Sequence, residues 1–358
     1  MPKPEWLMDA PEASPGKKAD TPLHKFLTRL MKGENLAFKE AQGFFAALSA
    51  FDANPAQISG CLVALASKGE TYEELAGMAK VMREQASTVK THHTGLIDIT
   101  GTGSSPAKRF NISTATAFVV AGAGLAVAKH TSRGVTSKLG SAEALESLEV
   151  NVSGDPKLAQ ACLSGAGLAF LFAPSIHTSI RRIADVRRNL GIRTSLTLLG
   201  PLANPAHAQF QLLGVWHPAL VEPMAQALAL LGTKRAWVVH GTDGLDELTI
   251  AGKTIVAEVS GNKIRKFEIS PEDFGLHASK IPDLKPKTPT ESATIIRDVL
   301  ESRRRDEARS LVVMNAAAAL VIGGKSKNLL HAARMAEQSI DSGSARIKLD
   351  RLIQTTNK

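Results

Sequence analysis

Cysteine and aromatic residues are scarce in this chain of 358 residues. The 2 cysteines, Cys61 and Cys162, each stand alone in an apolar stretch, so neither a disulfide framework nor a CxxC metal site is expected. Aromatic residues make up 4% of the chain, which argues against a nucleic-acid surface built on base stacking. We expect both cysteines to be small buried side chains of a protein in a reducing compartment, the cytoplasm.

Long uncharged apolar runs are also missing. No run of about 18 apolar residues predicts a membrane-spanning helix, so no membrane is expected among the partners. The first residues carry proline and glutamate instead of the apolar core of a secretory signal. Residues 1–20 have prolines at positions 2, 4, 11 and 15 and little periodicity, and we expect a mobile tail there.

The charge is unbalanced, with 43 Lys and Arg against 34 Asp and Glu and a net charge of +9. A positive balance suits a polyanionic substrate, a nucleic acid or an acidic partner, and does not choose among them. The content of 44% hydrophobic and 22% charged residues is that of a globular protein with a sizeable core. The length is typical of two domains, or of one large domain with a smaller companion.

Two kinds of periodicity divide the chain. Residues 21–90 carry apolar residues at helical spacing, for instance around Phe26. From Leu96 onward short apolar strands alternate with helices, which is typical of a mostly parallel sheet. We therefore predict an α/β protein: a large domain, residues 91–358, with a mostly parallel central sheet flanked by helices, and a smaller all-helical N-terminal subdomain, residues 21–90, joined by part of 175–205.

A glycine-rich turn opens the most informative stretch of the chain. An apolar strand ends in Gly101 and Gly103, and the missing Cβ atoms let backbone amides approach a ligand closely. Asn111, Ser113 and Thr114 follow, and they are typical N-cap residues at the start of an apolar helix. Backbone N–H groups and the helix dipole then favour an anionic group at this place.

A second loop of the same kind follows. The apolar strand Leu125–Ala128 ends in Lys129 and His130, where Lys129 can place a charge on a phosphate and His130 can line a pocket. Ligands of open α/β sheets bind at the carboxyl ends of the strands. The two loops together predict a site for a phosphate-rich substrate, and two ordinary strand-to-helix turns are the alternative.

Asp246 and Glu247 are adjacent acids in a loop that follows a further apolar strand. On a regular helix their side chains would diverge, but in a loop both can reach one ion. Mg²⁺ favours one or two carboxylates and takes water and substrate phosphate oxygens as its other ligands. The pair therefore indicates a Mg²⁺ site opposite the phosphate loops, and an acidic turn in solvent is the alternative.

Arg187 is placed unusually for a charged residue. On a helix from His177 to Leu190 it shares a face with Ile180 and Ile183, so it points inward with apolar residues. An inward arginine needs a partner because a buried unpaired charge is costly. The partner can be a structural acid or the carboxylate of a substrate, which suits the guanidinium fork. The sequence leaves both possibilities open and indicates no covalent nucleophile.

Taken together, these motifs resemble the anthranilate phosphoribosyltransferase family, whose fold group includes the pyrimidine nucleoside phosphorylases. The resemblance covers the chain from about Pro22 to Leu352. The motifs that carry it include, in chain order, Asp98-Ile-Thr-Gly-Thr-Gly103, Asn111-Ile-Ser-Thr114, Val127-Ala-Lys-His130, Ser137-Lys-Leu-Gly-Ser141, Leu199-Gly-Pro-Leu202 and Gly244-Leu-Asp-Glu247. Members of the family join anthranilate to phosphoribosyl pyrophosphate and release pyrophosphate, in tryptophan biosynthesis. They are usually homodimers that associate through the helical subdomain.

The resemblance implies a role for each matching residue. Arg187 is expected to meet the anthranilate carboxylate and, with His130, to be catalytic, while Ser113, Asp246 and Glu247 are expected to hold Mg²⁺. The residues implied to bind the substrates are Gly101, Gly103, Ser104, Ser105, Arg109, Asn111, Ile112, Ser113, Thr114, Lys129, His130, Ser132, Ser137, Ser141, His177, Arg187 and Gly200.

The chain departs from the family pattern at three places. Ser104-Ser105 stands where Gly-Asp is usual, Arg109 where a small hydroxyl residue is usual, and Thr131-Ser132 where Gly-Asn is usual. A different aromatic acceptor therefore stays open. A second hypothesis is a noncatalytic relative that binds nucleic acid through basic surface such as Arg303-Arg-Arg305, with salt-sensitive binding. A third is a phosphorylase, which the motifs fit less well.

Overall fold

The structure is a computed structural model that describes residues 21–358, apart from residues 104, 106, 108, 135–138 and 282–283. The predicted tail and two predicted site residues, Ser104 and Ser137, lie outside the described residues. The chain divides into two compact units. Of the described residues, the helical unit comprises residues 21–86 and His177–Ala203, and the sheet unit comprises those within Ser87–Ile176 and Asn204–Lys358.

Helices make up the first part of the described chain, strands and helices are interspersed from residue 97 to residue 269, and helices close the chain. The α-helices are α1 (Pro22–Met31), α2 (Phe38–Leu48), α3 (Pro55–Lys68), α4 (Tyr72–Glu84), α5 (Ile112–Gly122), α6 (Ser141–Ser147), α7 (Pro156–Ala166), α8 (Ala173–Ile176), α9 (Arg181–Leu190), α10 (Leu196–Leu202), α11 (Val221–Leu230), α12 (Pro289–Leu300), α13 (Glu307–Ile322), α14 (Leu329–Asp341) and α15 (Ser344–Thr356). The strands are β1 (Ile97–Gly101), β2 (Val127–Thr131), β3 (Leu168–Phe172), β4 (Phe210–Gly214), β5 (Arg235–Gly241), β6 (Thr254–Ser260) and β7 (Lys263–Ile269).

The helical unit consists of α1–α4 with α9 and α10. Thr71 and Glu74 cap α4 reciprocally, because the Thr71 hydroxyl accepts from the Glu74 amide at 3.2 Å and the Glu74 carboxylate accepts from the Thr71 amide at 2.8 Å. Glu74 is fully buried and also accepts from the Leu36 amide at 2.9 Å and from Lys68 Nζ at 2.8 Å. These bonds satisfy the buried carboxylate and join α4 to α3 and to the start of α2.

Two predictions about the helical unit were wrong in detail. The helix expected from His177 begins at Arg181, after a 3₁₀ turn over Thr178–Ile180. The glycine and two prolines of residues 198–205 predict irregular chain, but most of this segment belongs to the helix α10, with Pro201 inside it. A proline inside a helix removes a backbone donor and crowds the preceding turn. The buried leucines of α10 offset this cost.

The sheet has the strand order β3-β2-β1-β4-β5-β6-β7. The strands β1 to β5 pair in parallel, and β6 and β7 form an antiparallel hairpin at one edge. The prediction of a mostly parallel central sheet flanked by helices is therefore confirmed. The strand order reverses at β1, which lies between β2 and β4, and open sheets of this kind bind ligands at the carboxyl ends of the strands next to such a reversal.

The core of the sheet unit lies around α5, a helix whose residues from Ile112 to Ala121 are almost all buried. It packs against α13, α14 and α15 and against β1. This packing fixes the position of α5 on the sheet. The start of α5 is therefore held beside the end of β1. That start carries Ser113, one of the predicted metal ligands.

Three further expectations concern the cysteines, membrane-spanning helices, and the position of Lys129 and His130. Cys61 and Cys162 are buried, as expected, and burial raises the pKa of their thiols to about 12 and about 11. Over the described part of the chain, every helix is too short or too polar to cross a membrane. Lys129 and His130 lie inside β2, which runs to Thr131, instead of just after a strand as predicted.

Candidate active site

The loop after β5 lies against the ends of two other strands of the sheet unit. Gly101 ends β1 and pairs with Gly214, which ends β4. A Cβ atom on Gly101 would stand 3.2 Å from Asp246 Oδ2, and a Cβ atom on Gly214 would overlap the Asp246 carbonyl oxygen. Glycine at both positions therefore lets the acidic loop approach the strand ends. Sequence reasoning missed Gly214, whose neighbours form no recognisable turn motif.

The three predicted metal ligands come together at this edge of the sheet. Glu247 Oε1 accepts a hydrogen bond from the Ser113 amide at 2.9 Å, and the Ser113 hydroxyl also bonds to this carboxylate. The Asp246 carboxylate accepts from the backbone amide of Gly103. The glycine turn after β1, the start of α5 and the acidic loop after β5 thus meet through these two acids.

The environment of the Asp246 and Glu247 carboxylates favours a bound cation. Both side chains keep some exposure, yet the dense protein around them raises the pKa of the Asp246 and Glu247 carboxyls by desolvation. The neighbouring Asp246 carboxylate raises the pKa of Glu247 further, while Lys129 acts in the opposite direction on both acids. Two close carboxylates of this kind are stabilised by a bound cation.

Mg²⁺ fits the residues that are present. Among the described residues, three or more His, Cys, Asp or Glu side chains do not gather in any one place that could hold a metal. Mg²⁺ does not require such a cluster, since it is commonly bound through one or two carboxylates together with water and substrate phosphates. Asp246, Glu247 and the Ser113 hydroxyl are oxygen donors of the preferred kind.

Lys129 lies behind the acids. Its side chain is 3% exposed, and Nζ donates to the Ile99 carbonyl at 2.7 Å. Burial lowers the pKa of the Lys129 ammonium, against the opposing charges of Asp98, Glu247 and Asp246. Lys129 therefore supplies positive charge to the acids from within the sheet, and its contact with a phosphate stays a prediction.

Asp98 in β1 forms hydrogen bonds to β2 and to Asn204. Its Oδ1 accepts from the His130 amide at 3.1 Å, and its Oδ2 accepts from Asn204 Nδ2 at 2.7 Å. Asn204 also donates to the Ala128 carbonyl at 2.8 Å. This buried network fixes the backbone of β2 at His130. The only sign of this network in the sequence is an aspartate, Asp98, inside an apolar strand. Its partner Asn204 could not be inferred, because it lies 106 residues away.

The start of α5 differs from the capping that was predicted. Asn111 is the N-cap residue by position, but its side chain makes no cap hydrogen bond. Instead Asn111 Nδ2 donates to the Leu139 carbonyl at 3.3 Å, and Oδ1 accepts from the Ser292 hydroxyl at 2.7 Å. Ile112 and Thr114 are buried in the core. Asn111 thus holds together segments that are distant in sequence.

Other predicted substrate ligands make contacts within the sheet unit. The Ser105 hydroxyl donates to the Gly244 carbonyl at 2.7 Å, which ties the glycine turn to the acidic loop. The Ser132 amide donates to Ser141 Oγ at 3.4 Å, and this hydroxyl donates back to the Ser132 carbonyl at 3.3 Å. Arg109 is half-buried in the loop after β1. Apart from Ser104 and Ser137, the predicted phosphate ligands therefore lie in loops that follow β1 and β2 or in the adjoining helices and strands.

The helical unit holds Arg187 in the way that its spacing predicted. Its neighbour Ile183 is fully buried, and Arg187 itself is half-buried. Its NH2 group donates to Thr197 Oγ1 at 2.8 Å, whereas its Nε atom is buried and makes no hydrogen bond to any described residue. Burial lowers the pKa of the guanidinium, and no acid of the described chain forms an ion pair with it. Arg187 thus keeps donors available for an anion.

Two other predicted residues of the acceptor pocket lie in the same unit. His177 is 1% exposed, and burial lowers its pKa to about 4 despite a hydrogen bond with the backbone of Met82. Gly200 lies in α10, three residues after Thr197, the partner of Arg187. His177 is therefore a neutral imidazole at pH 7.

The arginine-rich stretch is paired with acids. Arg303 bonds to Asp298 and Glu301, and Arg304 Nε donates to Asp306 at 2.8 Å. Arg305 NH2 lies 3.7 Å from Asp341 Oδ1. These ion pairs reduce the positive charge that the stretch presents, which weakens the hypothesis of a nucleic-acid surface there.

Comparison with known proteins agrees with this geometry. Residues 93–346 match the family described as "Glycosyl transferase family, a/b domain", and residues 24–86 match its helical bundle domain. Anthranilate phosphoribosyltransferase of Pelotomaculum thermopropionicum is 45% identical over 92% of this chain and 95% of its own length. The protein of the same name from Rhodospirillum rubrum is 45% identical over 90% of this chain and 92% of its own length.

Solved structures give the same result. The anthranilate phosphoribosyltransferase of Thermus thermophilus superposes with a TM-score of 0.87 at 37% identity, covering 93% of this chain and 99% of that one. That of Saccharomyces cerevisiae, in complex with PRPP and Mg, superposes with a TM-score of 0.82 at 27% identity, covering 94% of this chain and 98% of that one. From its sequence, its sheet topology and these relatives together, the chain belongs to the anthranilate phosphoribosyltransferase family.

Proposed function

We propose that this protein transfers the phosphoribosyl group of phosphoribosyl pyrophosphate to the amine of anthranilate, releasing pyrophosphate, with Mg²⁺ as cofactor. The observation that carries the proposal is the pair Asp246 and Glu247, hydrogen-bonded to Gly103 and Ser113 at the carboxyl edge of the sheet. The yeast relative was solved with PRPP and Mg, and a variant of it with 4-fluoroanthranilate. Both ligands are of the classes expected here.

The sheet unit is proposed to bind the phosphoribosyl donor. The backbone amides of the glycine turn and of the start of α5 suit the diphosphate, since both present N–H groups to an anion. Asp246, Glu247 and the Ser113 hydroxyl are the residues that would hold Mg²⁺. When bound, Mg²⁺ neutralises charge that develops on the leaving pyrophosphate.

The helical unit is proposed to bind the acceptor. Arg187 has a buried Nε atom without a partner among the described residues, and a guanidinium binds a carboxylate through two parallel hydrogen bonds. Thr197 fixes the other end of the guanidinium at 2.8 Å. The carboxylate of anthranilate is therefore the proposed partner of Arg187, with His177 and Gly200 lining the pocket.

The proposed chemistry needs no general base. The lone pair of the arylamine forms a bond to the anomeric carbon as the bond from that carbon to the pyrophosphate oxygen breaks. An arylamine is weakly basic and thus neutral at pH 7, so its lone pair is available. After the bond has formed, the cationic nitrogen passes one proton to solvent. The protein lowers the barrier by positioning both substrates and by stabilising charge, with His130 and Arg187 as the proposed catalytic side chains.

We further propose that the protein is a cytoplasmic homodimer. The helical unit exposes several large apolar side chains: Met31, Phe51, Val63, Tyr72 and Ile192. Single exposed apolar residues are common, but a group of them on a small unit favours burial against a second copy. The two buried thiols without a disulfide suit a reducing compartment. We also propose a division into a helical subdomain, residues 21–90 joined by part of 175–205, and a catalytic domain, residues 91–358.

The test is product formation from phosphoribosyl pyrophosphate with a panel of aromatic amines, each with and without Mg²⁺. We expect anthranilate to be the best acceptor, aniline to be a poor one, and turnover to require the metal. The double variant Asp246→Ala, Glu247→Ala should lose turnover while circular dichroism and the unfolding midpoint show that it remains folded. Unchanged turnover in this variant would refute the metal assignment, and a preference for another amine would correct the acceptor.

A further inference from the structure

The two acids at the carboxyl edge occupy the donors that an anionic substrate would use. Glu247 Oε1 lies 2.9 Å from the amide nitrogen of Ser113, the second residue of α5. Asp246 accepts from the amide of Gly103, which has a left-handed φ of +64° in the glycine turn. Amides of this kind have no partner within a helix or a strand. In this structure both of them are bonded to carboxylates.

A diphosphate and these carboxylates compete for the same groups. Both are anions that favour the positive end of α5 and the amides of a glycine turn. A diphosphate that arrived while Glu247 and Asp246 kept these hydrogen bonds would meet two negative charges, and the amides of Gly103 and Ser113 would not be available to it. Glu247 at the start of α5 and Asp246 at the glycine turn are therefore internal anions within the proposed diphosphate site.

We propose that Asp246 and Glu247 close the diphosphate site until they bind the metal, and that they release the amides of Gly103 and Ser113 as they turn to the cation. The cation is then required before the diphosphate binds, as well as for charge neutralisation. This inference rests on the proposed function, because it assumes that a diphosphate with Mg²⁺ is the ligand of this edge.

The exchange requires only side-chain movement, because the backbone of the acidic loop is held firmly. The Ser105 hydroxyl donates to the Gly244 carbonyl at 2.7 Å, and the Leu248 amide donates to Asn315 Oδ1 at 3.0 Å. These two bonds lie on either side of the acids. The close approach of the Asp246 carbonyl to Gly214 fixes the same backbone from below. The carboxylates can therefore rotate between amide and metal without displacing the loop.

The test measures the binding of pyrophosphate by calorimetry in the absence of metal, with EDTA present. Wild type should bind weakly, whereas Glu247→Ala should bind at least about 10-fold more tightly, because it frees the Ser113 amide at a net gain of about 1.4 kcal/mol. With Mg²⁺ present the order should reverse, since the variant has lost a metal ligand. A variant that was merely damaged would bind less tightly in both conditions.

Asp243→Asn is the matched control. Asp243 is an exposed acid of the same loop whose Oδ1 accepts from the Leu245 amide at 3.3 Å, a bond that asparagine keeps. It removes one negative charge without freeing an amide of Gly103 or Ser113. A gain in metal-free affinity equal to that of Glu247→Ala would mean that general charge repulsion, not amide occupancy, limits binding, and would overturn the proposal.

A second measurement observes the exchange directly. In protein labelled with ¹⁵N-serine, the amide resonance of Ser113, assigned by comparison with Ser113→Thr, should shift on addition of Mg²⁺ alone and again on addition of pyrophosphate. A Ser113 resonance that ignores Mg²⁺ in a protein that still binds pyrophosphate with Mg²⁺ contradicts the exchange but leaves the proposed function standing. Absence of any Mg²⁺-dependent pyrophosphate binding contradicts both.

Discussion

The carbonyl oxygen of Asp246 fills the space where a side chain of Gly214 would begin. Gly214 ends β4 beside Gly101, and Asp246 belongs to the loop after β5, so a single missing methyl group decides how closely the acids approach the strand ends. The relationship concerns the backbone of Asp246, which makes it insensitive to the protonation of the carboxyl group. It explains why glycine is needed where no turn requires it.

Gly214→Ala should therefore displace the acidic loop. We expect kcat/KM to fall by about 100-fold or more, because a shift of about 1 Å in a positioned catalytic group has effects of this size. Steady-state kinetics with varied Mg²⁺ should show a higher Mg²⁺ requirement. The control is Gly165→Ala in α7, where a Cβ atom would be 3.9 Å from its nearest neighbour, Thr355 Oγ1, and where activity should be unchanged. Equal kinetics of wild type and Gly214→Ala would contradict the role given to this contact.

Arg187→Ala should raise the KM for anthranilate by about 10- to 100-fold, since charge-assisted hydrogen bonds contribute about 1.5–3 kcal/mol. The KM for phosphoribosyl pyrophosphate should change little. Aniline has no carboxylate, so its kcat/KM should be the same in the variant and in wild type. The ratio of kcat/KM for anthranilate to that for aniline therefore reports the loss of the contact with the carboxylate. Arg188→Ala is the control on the same helix, because Arg188 is exposed and paired with Asp185. A drop in the rates with both acceptors would instead indicate a role in folding.

The buried His177 should make stability depend on pH. Its pKa is about 4 in the folded protein against 6.5 for an ordinary histidine, so the unfolded chain binds a proton first as the pH falls. The stability that the neutral imidazole provides is complete above about pH 6.5 and is lost progressively toward pH 4, by about 3 kcal/mol in total. Urea unfolding of wild type and His177→Gln at pH 7, 6 and 5 should show a smaller loss in the variant. His24→Gln, at an exposed histidine of the same unit, should follow wild type.

A homodimer formed through the helical unit should be sensitive to charge on its exposed apolar surface. Val63 in α3 is 43% exposed, and Val63→Glu should shift the protein to the monomer in sedimentation velocity at micromolar concentration. Leu230 in α11 of the sheet unit is also 43% exposed, which makes Leu230→Glu a matched control that should remain dimeric. Dissociation by Leu230→Glu alone would place the interface on the other unit.

Much of the fold could be predicted because the signals are local. The apolar run from Leu168 to Phe172 predicts a strand, which has the same bounds in the structure. The residues around Gly261-Asn262 predict a hairpin, which the structure has as the pair β6 and β7. The helix α10 could not be predicted in this way. Its glycine and proline indicate irregular chain locally, but its leucines are buried against α4, and Arg83 Nε donates to the Leu202 carbonyl at 2.6 Å near its end.

In the candidate site, too, the local features could be predicted and the long-range contacts could not. That Gly103, Ser113 and the two acids share an edge followed from the rule that parallel strands end on one side of a sheet. The contacts that hold the edge together did not follow, because each joins distant residues. Asn204 reaches Asp98 across 106 positions, and Asn111 reaches Ser292 across 181. No local pattern of residue types contains such a pairing.

The hairpin at the end of the sheet has a consequence for how the protein behaves at high concentration. β7 is the outermost strand, and an uncovered strand edge offers its backbone to any neighbouring chain that can extend the sheet. Here the strand carries exposed Lys263, Arg265 and Lys266, of which Arg265 pairs with Glu258 at 3.0 Å and Lys266 pairs with Glu222 at 2.7 Å. Charged side chains on an edge strand disfavour its pairing with another chain, so this edge resists the strand-to-strand aggregation that crowding would otherwise promote.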